Sequence, residues 1–197
     1  MKIIDSTIIT KVKFVTLFAV KYLDRKGNLK HWHMVSRGDQ PKCITKDNQR
    51  PDAAIIVPYH AREDKLAVIR EYRIPVGGYM YGFPAGLLDP GEELAVTARR
   101  ELHEETGLDI VTVYRHSPAI YSSAGITDEA ITMVFAEVTG TPSIRHIQDS
   151  EDIEVFLMDR QQVRQLLQSS DIAFGARAWM AMDAYARMGK AYLTGDG

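Results

Sequence analysis

A chain of 197 residues with 45% hydrophobic and 25% charged positions can bury a sizeable core unaided, and its single cysteine, Cys43, allows no internal disulfide. The formal net charge of −2 offers no broad basic field for nucleic acid, and no apolar run approaches the length of a membrane span. Met1 to Thr10 carries Lys2 and Asp5 without a sustained apolar stretch, so no signal peptide is read, and the lone cysteine fits a cytoplasmic protein.

Lys13 to Leu23 and Leu29 to Arg37 are rich in strand formers and flank the turn cluster Asp24 to Asn28, which predicts a hairpin. Gly38 to Asp52 is polar, contains Pro41 and Pro51, and reads as a loop. Ala53 to Tyr59 and Leu66 to Tyr72 are short apolar strands. Pro75 to Gly91 holds five glycines and three prolines and reads as loop with room for one short strand. Glu93 to Thr106 has neither Pro nor Gly, and Leu94, Ala98 and Leu102 recur every fourth residue, so a helix is predicted with Gly107 as its C-cap. Strands follow at Ile110 to Arg115, Ile131 to Val138 and Ile153 to Met158. Asp159 can cap a helix running through Gln168, and a last helix spans Ile172 to Met188. Phe174, Trp179, Met180, Met182 and Tyr185 are read as its packing stripe. Strands before and after one mid-chain helix predict an α+β protein, an α/β/α sandwich with a mixed sheet. Residues 1–50 are taken as an N-terminal β-hairpin region and 51–197 as the main domain.

Chemistry concentrates in Gly86 to Leu108. Glu101 and Glu105 stand four apart on one helix face, with Glu104 beside them. Like charges at this spacing cost roughly 0.2–0.5 kcal/mol per pair, and Arg99 and Arg100 offset this only in part. A hard divalent cation relieves the crowding, and magnesium, which takes oxygen ligands and keeps several waters, leaves room for substrate phosphates. The small residues before the helix let backbone approach a ligand. A solvated acidic face is the plain alternative.

The order Gly86, five residues, Glu92, seven residues, then Arg100-Glu101-Leu102-His103-Glu104-Glu105-Thr106-Gly107-Leu108 resembles the Nudix box at every defining position. The resemblance implies a Nudix α/β/α sandwich and a magnesium-dependent hydrolase, with manganese as a substitute metal. It implies Glu101, Glu104, Glu105 and the Ala85 carbonyl as metal ligands, Gly86 as close-approach backbone, and Glu92 with Arg100 as the pair that orients the acids. Arg70-Glu71-Tyr72-Arg73, the run GFPAG, and Tyr121 to Glu129 look like the ADP-ribose pyrophosphatase branch. Arg73 would then contact substrate phosphates or ribose, Arg37 would help hold the adenine, and Glu129 would face the site. The catalytic base would come from the acidic run Gln148 to Ile153, as Glu151 or Asp149. A glycine, Gly82, stands where the branch often has glutamate, and Ser123-Ala-Gly125 where it has Ser-Pro-Gly.

The expected reaction is hydrolysis of ADP-ribose to AMP and ribose 5-phosphate by a homodimer. GDP-mannose or a dinucleoside polyphosphate is the alternative substrate within the family. A non-catalytic nucleotide-sugar-sensing module and an isomerase on the same fold are the alternatives outside it. Neither a nucleic-acid nor a membrane partner is expected. Trp32, between His31 and His33, reads more simply as a strand-face aromatic than as a base-stacking group. His31, His33, His103 and His116 lack the spacing of a zinc site.

Overall fold

Apolar alternation draws the N-terminal segment into strands. The computed structural model describes residues 1–47 and 50–195, in two units: Met1–Ala53 with Pro118–Thr132, and Ala54–Ser117 with the chain from Met133 on. In the first, β2 (Thr16–Leu23) buries Thr16, Phe18 and Val20, every second residue. It pairs antiparallel with β3 (Leu29–Ser36), from Thr16↔Ser36 to Leu23↔Leu29. Asp24 shapes the turn by accepting from the backbone N–H groups of Lys26 (2.8 Å) and Asn28 (2.9 Å).

The expected hairpin is a three-stranded sheet, because β1 (Lys2–Lys11) adds to the other edge of β2. Its register shifts between Ile3 and Asp5 and again between Ile8 and Thr10. The doublets Ile3-Ile4 and Ile8-Ile9 therefore sit at bulges, where alternation fails, and this hid the strand from a period-two reading. Gly38 to Asp52 is also more ordered than a plain loop. It holds a short helix, α1 (Lys42–Thr45), whose first N–H donates to Asp128 (2.7 Å). The Lys42 ammonium reaches Asp52 (2.6 Å), which also accepts from the Ala130 N–H (2.8 Å). Residues 48 and 49 of this stretch lie outside the described residues. The short β9 (Ile120–Tyr121) pairs with the start of β10 (Ala130–Thr139).

The second unit carries β4 (Ala53–His60), β5 (Lys65–Arg73), β6 (Gly78–Gly82), β7 (Ala85–Leu87), α2 (Leu94–Thr106), β8 (Asp109–His116), β11 (Ile153–Met158), α3 (Arg160–Leu167), β12 (Ala173–Phe174), α4 (Ala176–Met188) and α5 (Lys190–Thr194). The sheet runs β12-β6-β5-β4-β10-β8, with β11 beside β5 and β7 beside β4. It is mixed: β12 joins β6 in parallel, whereas β5 is antiparallel to β6 and β11. Glycine-rich Pro75 to Gly91 thus supplies two strands where one was expected, since sheet neighbours override weak local propensity.

Both sheet faces are covered. Ala54, Ile56, Ala67, Val134, Ala136 and Val138 pack with Ala98, Leu102 and Leu108 from α2 and the turn after it. On the opposite face Tyr59 meets Tyr185 of α4 (ring centroids 6.5 Å), and Tyr81 lies between Phe156 and Phe174. This is the expected α/β/α layering. Asp159 caps α3 in a full capping box with Gln162. The stripe expected on the last helix is partly wrong. Trp179 and Met180 are exposed, and Ala178, Ala181, Met182, Tyr185 and Ala186 form the buried face of α4. No helix among the described residues is long and apolar enough to cross a membrane.

Candidate active site

Helix α2 starts without a side-chain cap from Glu93 and ends cleanly. Gly107 adopts φ 69°, and its N–H donates to the His103 carbonyl (2.8 Å). The helix lies against β7, and the spacing of Glu101 and Glu105 brings both carboxylates to that strand. The Ala85 N–H donates to Glu105 Oε2 (3.1 Å). At Gly86 an added Cβ would sit 1.8 Å from Glu101 Oε1, so only a residue without a side chain leaves that carboxylate where it is. Glu104 is half exposed on the neighbouring flank, 3.6 Å from the Arg100 guanidinium.

Arg100 and Glu92 meet as expected. Arg100 reaches Glu92 through Nε (3.2 Å) and Nη2 (3.0 Å), and Glu101 Oε1 through Nη1 (2.6 Å). Glu92 also accepts from the Thr97 hydroxyl (2.8 Å) and the Asp89 N–H (3.1 Å). These donors, Arg100 first, hold the Glu92 carboxyl down at about 2. Arg100 thus ties the loop before the helix to Glu101, and its ion pair with Glu104 holds as well.

Glu105 is in the opposite condition. It is only 6% exposed, and burial pushes its carboxyl well above the ordinary value of 4.5. The Ala85 N–H opposes the shift, and the charges of Glu101, Glu71 and Glu151 add to it. Burial raises Glu101 too, against the pull of Arg100, with Glu104 and Glu151 reinforcing the rise. Among the described residues no three His, Cys, Asp or Glu side chains converge as a ready-made metal cage. The donor chemistry nevertheless fits a hard divalent cation: oxygen-only groups, a buried carboxylate with one N–H for partner, and a glycine cradle that keeps Glu101 in place.

The other expected residues divide. Glu151 lies close enough to raise both Glu101 and Glu105, and its Oε2 accepts from the Gln148 N–H (2.9 Å). Asp149 is exposed, and the largest of the charges that shift Glu101 and Glu105 include Glu151 rather than Asp149. Arg73 is 52% exposed at the side chain and bonds Glu71 (2.6 Å). Arg37 and Glu129 pair with each other in the first unit (2.6 Å). The residue that sequence reasoning overlooked is Glu71, a further acid beside Glu105. Its strand register, opposite Ile153, brings it near the 148–152 loop, and no local pattern announces that pairing.

The NUDIX domain model matches residues 49–181, two thirds of the chain and the whole of this helix and its loops. The chain belongs to the Nudix family. Within that family it is 29% identical to the ADP-sugar pyrophosphatase of Mus musculus, over 68% of this chain and 59% of that protein. It is 31% identical to the ADP-ribose pyrophosphatase of Bacillus subtilis, over 66% of this chain and 71% of that one. A crystal structure of an ADP compounds hydrolase superposes with a TM-score of 0.73 at 23% identity, covering 100% of this chain and 95% of that one. At that identity the likeness establishes the shared Nudix fold. The mouse relative extends well beyond the matched part, so its activity is not carried over whole.

Proposed function

We propose that this Nudix chain is a magnesium-dependent pyrophosphohydrolase that splits ADP-ribose into AMP and ribose 5-phosphate. The observation that carries the reading is Glu105, a buried carboxylate beside Glu101 with too little positive charge around it. Glu101 and Glu105, with Glu104 and the Ala85 carbonyl, would hold the metal. A divalent cation there supplies neutralisation of the diphosphate charge and polarisation of water. Arg100 and Glu92 orient the acids, and the bare Gly86 backbone lets the diphosphate come close. Arg73, released from Glu71, binds a substrate phosphate. Glu151 takes the proton from the attacking water, a role for which its place beside both ligands favours it over Asp149. Positioning and charge neutralisation suffice, without a covalent enzyme intermediate.

The adenosine half of the substrate rests on the two relatives, both named for ADP-linked compounds. Arg37 and Glu129 are assigned to that half. The enzyme is read as a cytoplasmic homodimer, and the exposed apolar side chains of β1 and β3, Ile3, Ile4, Ile8, Ile9 and Trp32, support a face covered by a second copy. The test is turnover of a panel containing ADP-ribose, ADP-glucose, GDP-mannose and diadenosine polyphosphates, with and without magnesium. ADP-ribose is expected to have the highest kcat/KM, and chelation to abolish it. Equal rates with EDTA would sink the metal assignment, preference for GDP-mannose the adenosine assignment, and binding without turnover the enzyme itself.

A further inference from the structure

Tyr79 stands on β6, away from the Nudix box, and its hydroxyl donates to the carboxylate of Asp152. Three strands line up to make this contact. Tyr79 is the register partner of Tyr72 on β5, and the Tyr72 N–H donates to the Asp152 carbonyl (3.0 Å) just before β11. The ring of Tyr79 packs against two side chains of β5. Tyr72 meets it edge-on with centroids 5.3 Å apart, and the Arg70 guanidinium lies 4.0 Å from its centroid while bonding Glu154 (2.6 Å). An acceptor carboxylate also raises the Tyr79 phenol, so the hydroxyl stays a donor.

Asp152 follows Glu151 directly. The loop holding Glu151 has its own closure, with the Gln148 N–H donating to Glu151 Oε2 and the Glu151 N–H to the Gln148 carbonyl, both at 2.9 Å. This closure sets the loop's shape. The loop is tied to the sheet by the β11 ladder that begins at Ile153 and by the bonds at Asp152. Among the described residues, the Tyr79 hydroxyl is the side chain that makes such a tie. From this geometry we propose that Tyr79 is a positioning residue: acting through Asp152, it latches the 148–152 loop so that Glu151 stays beside Glu101 and Glu105. The inference rests on the role given to Glu151 above. It also makes a glycine-rich hairpin outside the box a determinant of turnover.

The test is Y79F, which keeps the packed ring and removes only the hydroxyl, alongside D152A, D152N and the double variant Y79F/D152A. Displacing a reacting group by a fraction of an ångström predicts a fall in kcat of about tenfold with KM held within about twofold. D152A should match Y79F, and the double variant should be no worse than either, because both break one bond. D152N keeps an accepting oxygen and should recover most of the turnover lost in D152A. Amide hydrogen exchange over 148–152 should quicken in Y79F while α2 is unchanged. Wild-type kcat in Y79F with E151Q crippled overturns the latch alone. Full turnover in E151Q removes instead the role of Glu151, and unchanged exchange in Y79F then overturns the latch as well.

Discussion

The two halves of the acidic motif are built in opposite ways. At the start of α2, Glu92 is saturated: two guanidinium nitrogens, a hydroxyl and a backbone N–H surround it and hold its proton off down to about pH 2. One helix length on, Glu105 is buried with, among the described residues, a single N–H donor, and it faces further acids. The first arrangement stabilises the fold as it stands. The second stores a penalty that only a cation, a proton or a substitution can remove. The satisfied carboxylate fits a scaffold role, and the frustrated one is the candidate for a bound cation.

Removing the frustrated charge should give the largest effect. E105Q is expected to lower turnover by on the order of 10^3, the several kcal/mol that a lost metal ligand withdraws from the transition state. In metal-free protein the same variant should be the more stable one. Because the folded-state value of Glu105 is raised, the wild type loses stability as pH rises from 4.5 towards that value, and E105Q does not. Its melting temperature should therefore exceed the wild type's at neutral pH, by about 2–4 °C for each kcal/mol relieved, with the gap closing below pH 4.5. A metal-free E105Q less stable than wild type at pH 8 would break the contrast. G86A should come next. The methyl would press on the far end of the Glu101 side chain, which can rotate away, so the fold survives but Glu101 does not stay in place. A displacement of this size predicts turnover lower by about 10^2 with little change in melting temperature. A matching activity for G86A would show that the cradle is incidental.

The same contrast explains what the sequence alone could disclose. The Nudix box is contiguous, so helical spacing by itself places Glu101 and Glu105 on one face and Arg100 near Glu104. The apolar stripe of α2 and its glycine stop are equally local. Glu71 and Tyr79 are not: each is placed by a partner at or just before β11, Ile153 and Asp152, more than seventy residues away along the chain. The β1 strand escaped notice because paired isoleucines at two bulges broke the alternation that signals a strand. Residue type alone points Trp179 and Met180 to a packed face, whereas α4 packs on the sheet through small alanines and leaves those larger side chains outside. Between Glu151 and Asp149 the sequence is evenly balanced. The charge of Glu151 reaching Glu101 and Glu105 is what favours it in the proposed mechanism, and no spacing rule carries that information.

The smallest effect should come from the saturated end, and it should have the opposite sign. Glu92 is held at about 2, below its ordinary 4.5, so the stability it lends is complete above pH 4.5 and drains away as the pH falls towards 2. E92Q keeps the shape and loses the charge. Its melting temperature should lie below the wild type's at neutral pH, with the gap narrowing from pH 4.5 and closing near pH 2. Turnover should fall less than in E105Q, since Arg100 keeps its bond to Glu101 and only the far end of its tether is weakened. Thermal melts of wild type, E92Q and metal-free E105Q across one pH series read both signs together. Two gaps of opposite sign, each vanishing in acid, are what a scaffold carboxylate before the helix and a ligand carboxylate on it require. If both variants lose stability alike at neutral pH, Glu105 is another structural acid and the cation has no reason to bind there.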